Sequence, residues 1–348
     1  MKLLHLHALP ADMQLPPTAI SIGNFDGVHL GHQAMLQRLK QRAHADGLKT
    51  LVMLFEPQPM EFFRGTEAPP RITSLREKIV LLKEQGIDYV LIARFDQDFR
   101  ALTALQFADL LKHQLNGQAL VLGDDFRFGC DRSGDSDYLR AYGFPIERLP
   151  TILVDGHRVS STRIRHCLQQ GEFNAAARLL GRPYSITGRI QYGDQIGRTI
   201  NFPTINVRLS RLTPCLHGIY VVDVQTVAGA PLTERVAQQQ LEQLLKNRTP
   251  QTGITGYLPH SILGAGHVGT RPAIAQEQPE WRLEVHFPDL KADLYGLLVK
   301  VTFLHFLHGE KNYDSLQALQ QGILQDVIDV RDYRQHQTDF PIVDSTIV

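Results

Sequence analysis

Residues 23–32 read Gly23-Asn24-Phe25-Asp26-Gly27-Val28-His29-Leu30-Gly31-His32, and they directly follow the apolar run Ala19-Ile20-Ser21-Ile22. This order predicts a strand, a glycine-rich turn and then a helix. The free N–H groups at a helix start and the positive end of its dipole attract an anion. Gly27 and Gly31 carry no side chain that would keep phosphate oxygens away from the backbone. The turn is therefore predicted to bind a nucleotide phosphate.

Two imidazoles belong to the same stretch. His29 and His32 are three residues apart, so on a first helical turn they face the same way. There they could hold the charge that builds up when the α-phosphate of a nucleoside triphosphate is attacked. A pair of metal ligands or two surface histidines remain alternatives in a chain with 15 His. The segment resembles the signature of the nucleotidylyltransferase superfamily, whose members transfer AMP from ATP, and it does not match the phosphate loop of a typical kinase.

Length and composition restrict the function class. A chain of 348 residues predicts two domains. Lys+Arg and Asp+Glu are both 36 and no long basic run occurs, so neither nucleic acid nor an anionic membrane is an expected partner. A cytoplasmic location is expected, because the sequence has no membrane-spanning apolar stretch and no secretory signal. Cys130, Cys167 and Cys215 lack the spacing of a disulfide framework or a zinc site and are interpreted as packing residues.

The first half alternates helical and strand patterns. Helical periodicity after the turn runs to Gly47 and is followed by a buried strand over 50–55. Two capping boxes, Ser74-x-x-Glu77 and Thr103-x-x-Gln106, each open a further helix that precedes a strand. This alternation predicts an α/β domain with a doubly wound parallel sheet, which binds ligands at the carboxyl ends of its strands.

Three segments that follow predicted strands are expected at that edge. They are Phe55-Glu56-Pro57-Gln58-Pro59, Gly123-Asp124-Asp125-Phe126-Arg127-Phe128-Gly129 and Ser160-Ser161-Thr162-Arg163-Ile164-Arg165. The last combines hydroxyls that suit a helix N-cap with an arginine one turn on, which suits an anion. Asp125 beside Phe128 suits a flat polar ring system. The alternative interpretation is a turn closed by core phenylalanines. Composition alone favours this alternative.

A domain boundary is predicted where the helix 173–180 stops at Gly181-Arg182-Pro183. The predicted domains are therefore 1–182 and 183–348. Beyond the boundary, short β-branched and aromatic runs predict an antiparallel barrel or sandwich, and a last helix begins near Asp314.

Two features of the second half could carry chemistry. The loop from Gly193 through Gly197 to Thr204 and Asn206 is rich in glycine and in oxygen-bearing side chains, which suits phosphates and a Mg²⁺ ion. Alternation along 281–287 turns Glu284 away from the apolar face of its strand, together with Arg282 and His286. A solvated strand face explains Glu284 as well on this pattern alone.

Seven blocks in order resemble the bacterial bifunctional riboflavin kinase and FMN adenylyltransferase family, or FAD synthetase. They are Gly-Asn-Phe-Asp-Gly-Val-His-x-Gly-His, Phe-Glu-Pro-Gln-Pro, Gly-Asp-Asp-Phe-Arg-Phe-Gly, Ser-Ser-Thr-x-x-Arg, Gly-Arg-Thr-x-x-Phe-Pro-Thr-x-Asn, Gly-Thr-Arg-Pro, and Leu-Glu-Val-His with Asp-Leu-Tyr-Gly. The resemblance covers nearly the whole chain. It implies a Rossmann-like adenylyltransferase followed by a six-stranded β-barrel riboflavin kinase with a C-terminal helix.

The resemblance also implies roles by matching position. His29 and His32 would stabilise the triphosphate during attack by the FMN phosphate, and Glu284 would be the general base for the riboflavin 5′-hydroxyl. Thr204 and Asn206 would hold Mg²⁺, and Asp125 and Phe128 would face the flavin. The residues expected to bind ATP are Gly23, Asn24, Phe25, Gly31, Ser161, Thr162, Arg165, Gly193 and Gly197. The expected ligands are riboflavin, FMN, ATP and FAD, with Mg²⁺ as cofactor and ATP as co-substrate.

The second half departs from the family pattern at several positions. His267 stands where the family usually has Asn, Ala273 where it has Thr, His308 where it has Arg, and Asn201 where it has Gly. The segment between Val224 and Gly264 is longer than usual and carries a predicted helix. An alternative is therefore an FMN adenylyltransferase whose altered barrel binds flavin without efficient kinase activity. An adenylyltransferase for another acceptor is the second alternative, against which the appended barrel block argues.

Overall fold

The computed structural model describes residues 1–10, 13–130, 132–192, 202–227, 262–271, 280–288 and 294–336. The chain divides into two compact units, Met1–Arg163 and Ile164–Val348. Several predictions lie outside the described residues, namely the ATP-binding roles of Gly193 and Gly197, the substitutions at Asn201 and Ala273, and the helix expected between Val224 and Gly264.

The first unit is built on a six-stranded sheet in the order β1-β4-β3-β2-β5-β8, in which every neighbouring pair is parallel. Its strands are β1 (Lys2–His5), β2 (Thr18–Ile22), β3 (Lys49–Glu56), β4 (Tyr89–Arg94), β5 (Gly117–Gly123) and β8 (Ile146–Leu149). Two small ladders pair β6 (Arg127–Phe128) with β7 (Gly134–Asp135), and β9 (Leu153–Val154) with β10 (His157–Arg158). The predicted parallel α/β sheet is confirmed.

Helices connect these strands, and the local signals explain where they begin. The helices of this unit are α1 (Leu30–Ala45), α2 (Pro59–Arg64), α3 (Leu75–Glu84), α4 (Gln97–Arg100), α5 (Ala104–Asp109) and α6 (Ser136–Ala141). Both predicted capping boxes form, Ser74 with Glu77 before α3 and Thr103 with Gln106 before α5. β2 is buried along its whole length, so the turn that leaves its carboxyl end starts from the centre of the core.

The second unit contains a closed antiparallel barrel in the order β11-β12-β15-β14-β13-β16. Its strands are β11 (Ser185–Gln191), β12 (Thr204–Arg208), β13 (Gly218–Thr226), β14 (Ile262–Arg271), β15 (Glu280–His286) and β16 (Leu298–His308). Apolar residues such as Val207, Leu283 and Val268 are fully buried in its interior. The predicted six-stranded barrel is confirmed.

Three helices accompany this unit, namely α7 (Ser161–Gln169), which starts in the first unit, α8 (Phe173–Leu180) and α9 (Leu316–His336). The ring of Phe173 in α8 lies 5.8 Å from Tyr220 and 6.2 Å from Phe303 on the barrel strands. Helix α8 ends at Gly181, whose left-handed φ of 71° is the predicted helix stop. The compact units divide before this helix, and the functional boundary after Arg182 stays a prediction.

Among the helices that the structure describes, none has the length and apolar character needed to cross a membrane.

Candidate active sites

The phosphate turn, residues 23–32, has an unusual backbone. Gly27 has a φ of 87°, and the non-glycine residues Phe25 and Val28 have φ values of 47° and 41°. A β-branched residue such as Val28 rarely adopts this left-handed conformation, which costs on the order of 1–3 kcal/mol and persists only when the surroundings hold it. Strain of this kind is concentrated at active sites, so the turn is a candidate by geometry as well as by sequence.

Asp26 provides much of that restraint. Its carboxylate is 2% exposed and accepts hydrogen bonds from the amides of Ile72 at 3.1 Å and Thr73 at 3.0 Å. The Thr73 hydroxyl donates to the same carboxylate and accepts from the amide of Gly27 at 2.9 Å. Ile72 and Thr73, in the segment before α3, therefore hold the phosphate turn in place. Sequence reasoning missed this, because a contact over that separation leaves no local pattern.

The two histidines lie against each other at the start of α1. Their rings are stacked with centroids 3.6 Å apart, and Nδ1 of His29 accepts a hydrogen bond from the amide of His32 at 3.3 Å. An added Cβ at Gly31 would lie 3.2 Å from the His29 ring, so a larger residue there would crowd this ring. The expectation that both imidazoles face the same way is confirmed. Donors at this helix start can stabilise charge on a phosphate.

The other turn residues differ in exposure. Gly23 and Asn24 are half-buried, and within the described residues the buried Oδ1 of Asn24 has no hydrogen-bond partner. Phe25 is 1% exposed and packs in the core, with its ring 5.0 Å from His32. Its side chain therefore supports the turn, and the ATP-binding roles of Gly23, Asn24 and Phe25 stay predictions.

The segment at the start of α7 reaches the same turn. The Ser161 hydroxyl donates to the carbonyl oxygen of Asp26 at 2.9 Å, so it braces the turn in this structure. Ser160, rather than Ser161, accepts from the backbone one turn on, at the amide of Arg163. Thr162 is exposed, and Arg165 lies further along α7 in the second unit. The phosphate contacts of Ser161, Thr162 and Arg165 therefore stay predictions.

A charged cluster lies under the carboxyl ends of the central strands. The guanidinium of Arg71 contacts both carboxylate oxygens of Glu56, at 2.7 and 3.0 Å, and it also bonds to Glu61. Burial alone would lower the pKa of Arg71, but these hydrogen bonds outweigh it and raise the pKa. Lys78 is completely buried, and among the described residues its Nζ has no hydrogen-bond partner. Burial lowers the pKa of Lys78, against the attraction of Asp26.

The two expected flavin-binding residues are placed differently. Asp125 is exposed, whereas Phe128 is 7% exposed, with its ring 4.9 Å from Phe107 and 5.6 Å from Phe126. The ring contacts extend to Phe55, in one of the segments expected at this edge of the sheet, and to four rings that no sequence pattern indicated, namely Phe62, Phe63, Phe95 and Phe99. Phe128 therefore packs within a cluster of aromatic rings, as the core interpretation predicts. The roles of Asp125 and Phe128 as flavin contacts stay predictions.

On the barrel, the register of three strands aligns a second set of candidates. Asn206 of β12 pairs directly with Glu284 of β15, and Glu284 pairs on its other side with His267 of β14. Paired residues in a sheet point to the same face, so these three form one line, called here the polar row. All three are half-buried, on the face opposite the apolar barrel interior.

Thr204 belongs to the same face, two residues before Asn206, and pairs with His286. Nδ1 of His286 donates to the carbonyl oxygen of Pro203 at 2.9 Å, because a carbonyl can only accept. Burial lowers the pKa of His286, so it favours the neutral imidazole. His286 therefore anchors the segment that carries Thr204. It lies on the predicted face of its strand, away from the apolar residues, and is 9% exposed.

The donor set on this face fits Mg²⁺. Thr204 and Asn206 offer a hydroxyl and an amide oxygen beside the Glu284 carboxylate, and hard oxygen donors are those that Mg²⁺ prefers. The described residues contain no cluster of three or more His, Cys, Asp or Glu side chains arranged for a metal. Mg²⁺ needs no such cluster, because it keeps several waters and shares substrate phosphates.

Comparisons with known proteins match both halves of the chain. Residues 11–163 match the family model of FAD synthetase, and residues 180–334 match that of riboflavin kinase. A crystal structure described as a macrolide-efflux protein from Streptococcus pneumoniae is 26% identical, with a TM-score of 0.69, and the match covers 92% of this chain and 96% of that chain.

Curated relatives cover almost the whole chain. The bifunctional riboflavin kinase/FMN adenylyltransferase of Escherichia coli K12 is 40% identical over 90% of this chain and 92% of its own length. The protein of the same name from Pseudomonas fluorescens is 40% identical over 89% and 91%. With both family models in order along one chain, the protein belongs to the bifunctional riboflavin kinase/FMN adenylyltransferase family.

Proposed function

We propose that the phosphate turn is where AMP is transferred from ATP to FMN. A phosphate oxygen of FMN attacks the α-phosphorus of ATP, the bond to the β-phosphate breaks, and FAD and pyrophosphate leave. His29 and His32 stabilise the negative charge that grows on the phosphates during this step. The strained turn, held by Asp26 and Thr73, supports this assignment because it leads into the helix start at which both imidazoles lie stacked. Ser161, Thr162 and Arg165 bind the ATP phosphates.

The polar row is the proposed kinase site. Glu284 accepts the proton of the riboflavin 5′-hydroxyl while that oxygen attacks the γ-phosphorus of ATP, which releases FMN and ADP. The observation that carries this proposal is the pairing of Glu284 with Asn206, which puts a base beside the metal-binding donors. Thr204 and Asn206 hold Mg²⁺, which when bound neutralises charge on the transferred phosphoryl group. ATP is the phosphoryl donor in this unit and the adenylyl donor in the other.

The functional boundary after Arg182 and a cytoplasmic location belong to the same proposal. Two of the three cysteines, Cys167 and Cys215, are buried, as packing residues would be, and the spacing of the three does not suggest a disulfide framework. The alternative is a barrel that binds flavin without efficient kinase activity. It is less favoured, because binding alone requires no carboxylate such as Glu284 beside the expected Mg²⁺ ligands Thr204 and Asn206.

Product separation with the purified full chain tests the proposal. Riboflavin, ATP and Mg²⁺ should yield FMN and then FAD, with ADP and pyrophosphate as the accompanying products. Supplied FMN should yield FAD without riboflavin. If riboflavin binds but no FMN forms, the barrel is a binding module, and if FMN forms but no FAD follows, the assignment of the phosphate turn fails.

A further inference from the structure

Beside the polar row, three side chains from separate segments converge in the barrel unit. Glu310, just after β16, contacts Nε2 of His267 at 2.7 Å with one carboxylate oxygen and Nε2 of His217 at 3.0 Å with the other. The ring of His217 also meets Trp281 edge-on, with centroids 5.6 Å apart. His267 is thus held by a partner that is itself fixed.

The side chains of Glu310 and His267 occupy the space where a side chain at position 269 would begin, and residue 269 is a glycine. A Cβ placed on Gly269 would lie 2.2 Å from Oε1 of Glu310 and 2.5 Å from Nε2 of His267. Glycine inside a strand is unfavourable and often marks a close approach of another group. β14 therefore provides a cradle for this pair two residues beyond His267.

Glu310 also determines which ring nitrogen of His267 is engaged within the barrel unit, because it contacts Nε2. Burial would raise the pKa of Glu310, but the hydrogen bonds and charges of His267 and His217 outweigh it and lower the pKa. Glu310 is therefore a carboxylate near neutral pH and can only accept hydrogen bonds. The carboxylate accepts from Nε2 of His267, so Nδ1 is the ring nitrogen that Glu310 leaves for another hydrogen-bond partner.

The order along the polar row indicates what His267 meets. Asn206, and with it the proposed metal and phosphates, lies on one side of Glu284, and His267 lies on the other. The attacking oxygen must be between the base and the phosphorus, so the carbon chain behind it extends away from the phosphates. Along the polar row, the direction away from Asn206 and past Glu284 leads to His267 on β14.

We propose that His267, oriented by Glu310, binds a hydroxyl of the ribityl chain of riboflavin and so contributes to the specificity of the kinase for a polyhydroxylated flavin. This rests on the proposed role of the polar row.

The test measures KM for riboflavin and for ATP in FMN formation by the full chain. His267→Leu should raise KM for riboflavin about three- to tenfold, the range for loss of one neutral hydrogen bond, and leave KM for ATP within about twofold. Gly269→Ala should have the same effect, because its methyl group displaces the imidazole. Glu310→Ala should resemble both, and Glu310→Gln should restore the parent KM, because its amide oxygen still accepts from Nε2. His305→Leu, an exposed histidine stacked on Tyr333, is the matched control.

Riboflavin analogues that lack one ribityl hydroxyl each complete the test. With one of them the parent enzyme should lose the same factor in KM, and His267→Leu should lose nothing further with that analogue. An unchanged KM for riboflavin in His267→Leu, or an equal additional loss with every analogue, overturns the proposal. Turnover of Glu284→Gln is measured in parallel. If it stays at the parent level, the assignment of the base fails, whatever the KM values show.

Discussion

The phosphate turn takes its groups from one uninterrupted stretch, residues 23–32, whereas the polar row takes them from Asn206, His267 and Glu284 on three strands. In the turn, neighbours along the chain are neighbours in space, and strain in the backbone does part of the positioning. In the row, the positioning comes from strand register, and the backbone is ordinary sheet. A site of the first kind depends on what holds its loop, and a site of the second depends on the side chains themselves.

The largest effect is expected in the polar row. Glu284→Gln keeps the shape and a hydrogen bond but removes the proton acceptor, so FMN formation should fall about a hundredfold to ten-thousandfold. FAD formation from supplied FMN should not change, because that chemistry belongs to the other unit. Turnover is measured at saturating ATP and Mg²⁺. A kinase turnover within about twofold of the parent would return Glu284 to the role of a solvated strand residue.

His32→Ala makes the reciprocal change in the phosphate turn. Removal of a donor to developing charge typically lowers turnover by about a hundredfold or more, so FAD formation from FMN should fall by that factor. FMN formation should stay at the parent rate. His44→Ala, at an exposed position near the end of α1, is the control and should change neither reaction. Loss of both activities in a folded His32 variant would contradict two independent sites.

How far the sequence could predict each site follows from the same difference. The facing of His29 and His32 follows from helical spacing, and the outward face of Glu284 follows from strand alternation. Neither pattern contains the distance between strands, so the pairing of Glu284 with Asn206 and His267 could be known only from the register. The brace from Thr73 to the phosphate turn was missed for the same reason, since it joins positions that no local periodicity connects.

Burial was the other quantity that the sequence left open. Lys78 occupies a helix that the capping box predicts, but only the packed structure shows a lysine that is completely buried. His286 faces away from the apolar residues of its strand, as alternation predicts, but only the structure shows that it is 9% exposed and donates to Pro203. Which polar residues are drawn inward depends on the charges that meet them, and those come from distant segments.

Thr73→Val tests whether the turn depends on its brace. The substitution keeps the shape but removes the hydroxyl that accepts from Gly27 and donates to Asp26. One buried N–H loses its acceptor, which costs about 1–3 kcal/mol of stability in the first unit. FAD formation should fall by about tenfold, since a misplacement of about 1 Å in reacting groups can cost up to about a hundredfold. FMN formation is the internal control, and a parent rate of FAD formation would show that the turn holds itself.

The smallest expected effect is on stability and comes from Lys78→Met. A buried lysine nitrogen for which the described residues offer no hydrogen-bond partner is unfavourable, so the substitution should raise the free energy of unfolding of the first unit by about 1–3 kcal/mol near pH 7. The pKa of Lys78 is lowered from 10.5 in the folded chain, so between the lowered value and 10.5 the unfolded chain binds more protons. Stability of the parent therefore rises with pH across that window, and the advantage of the Met variant should shrink as pH approaches 10.5.

Thermal unfolding of the parent and the Met variant at several pH values measures the difference in stability. A Met variant that is less stable at pH 7 would mean that the Lys78 charge supports Asp26, and the phosphate turn would then depend on a buried ion pair as well as on its hydrogen bonds.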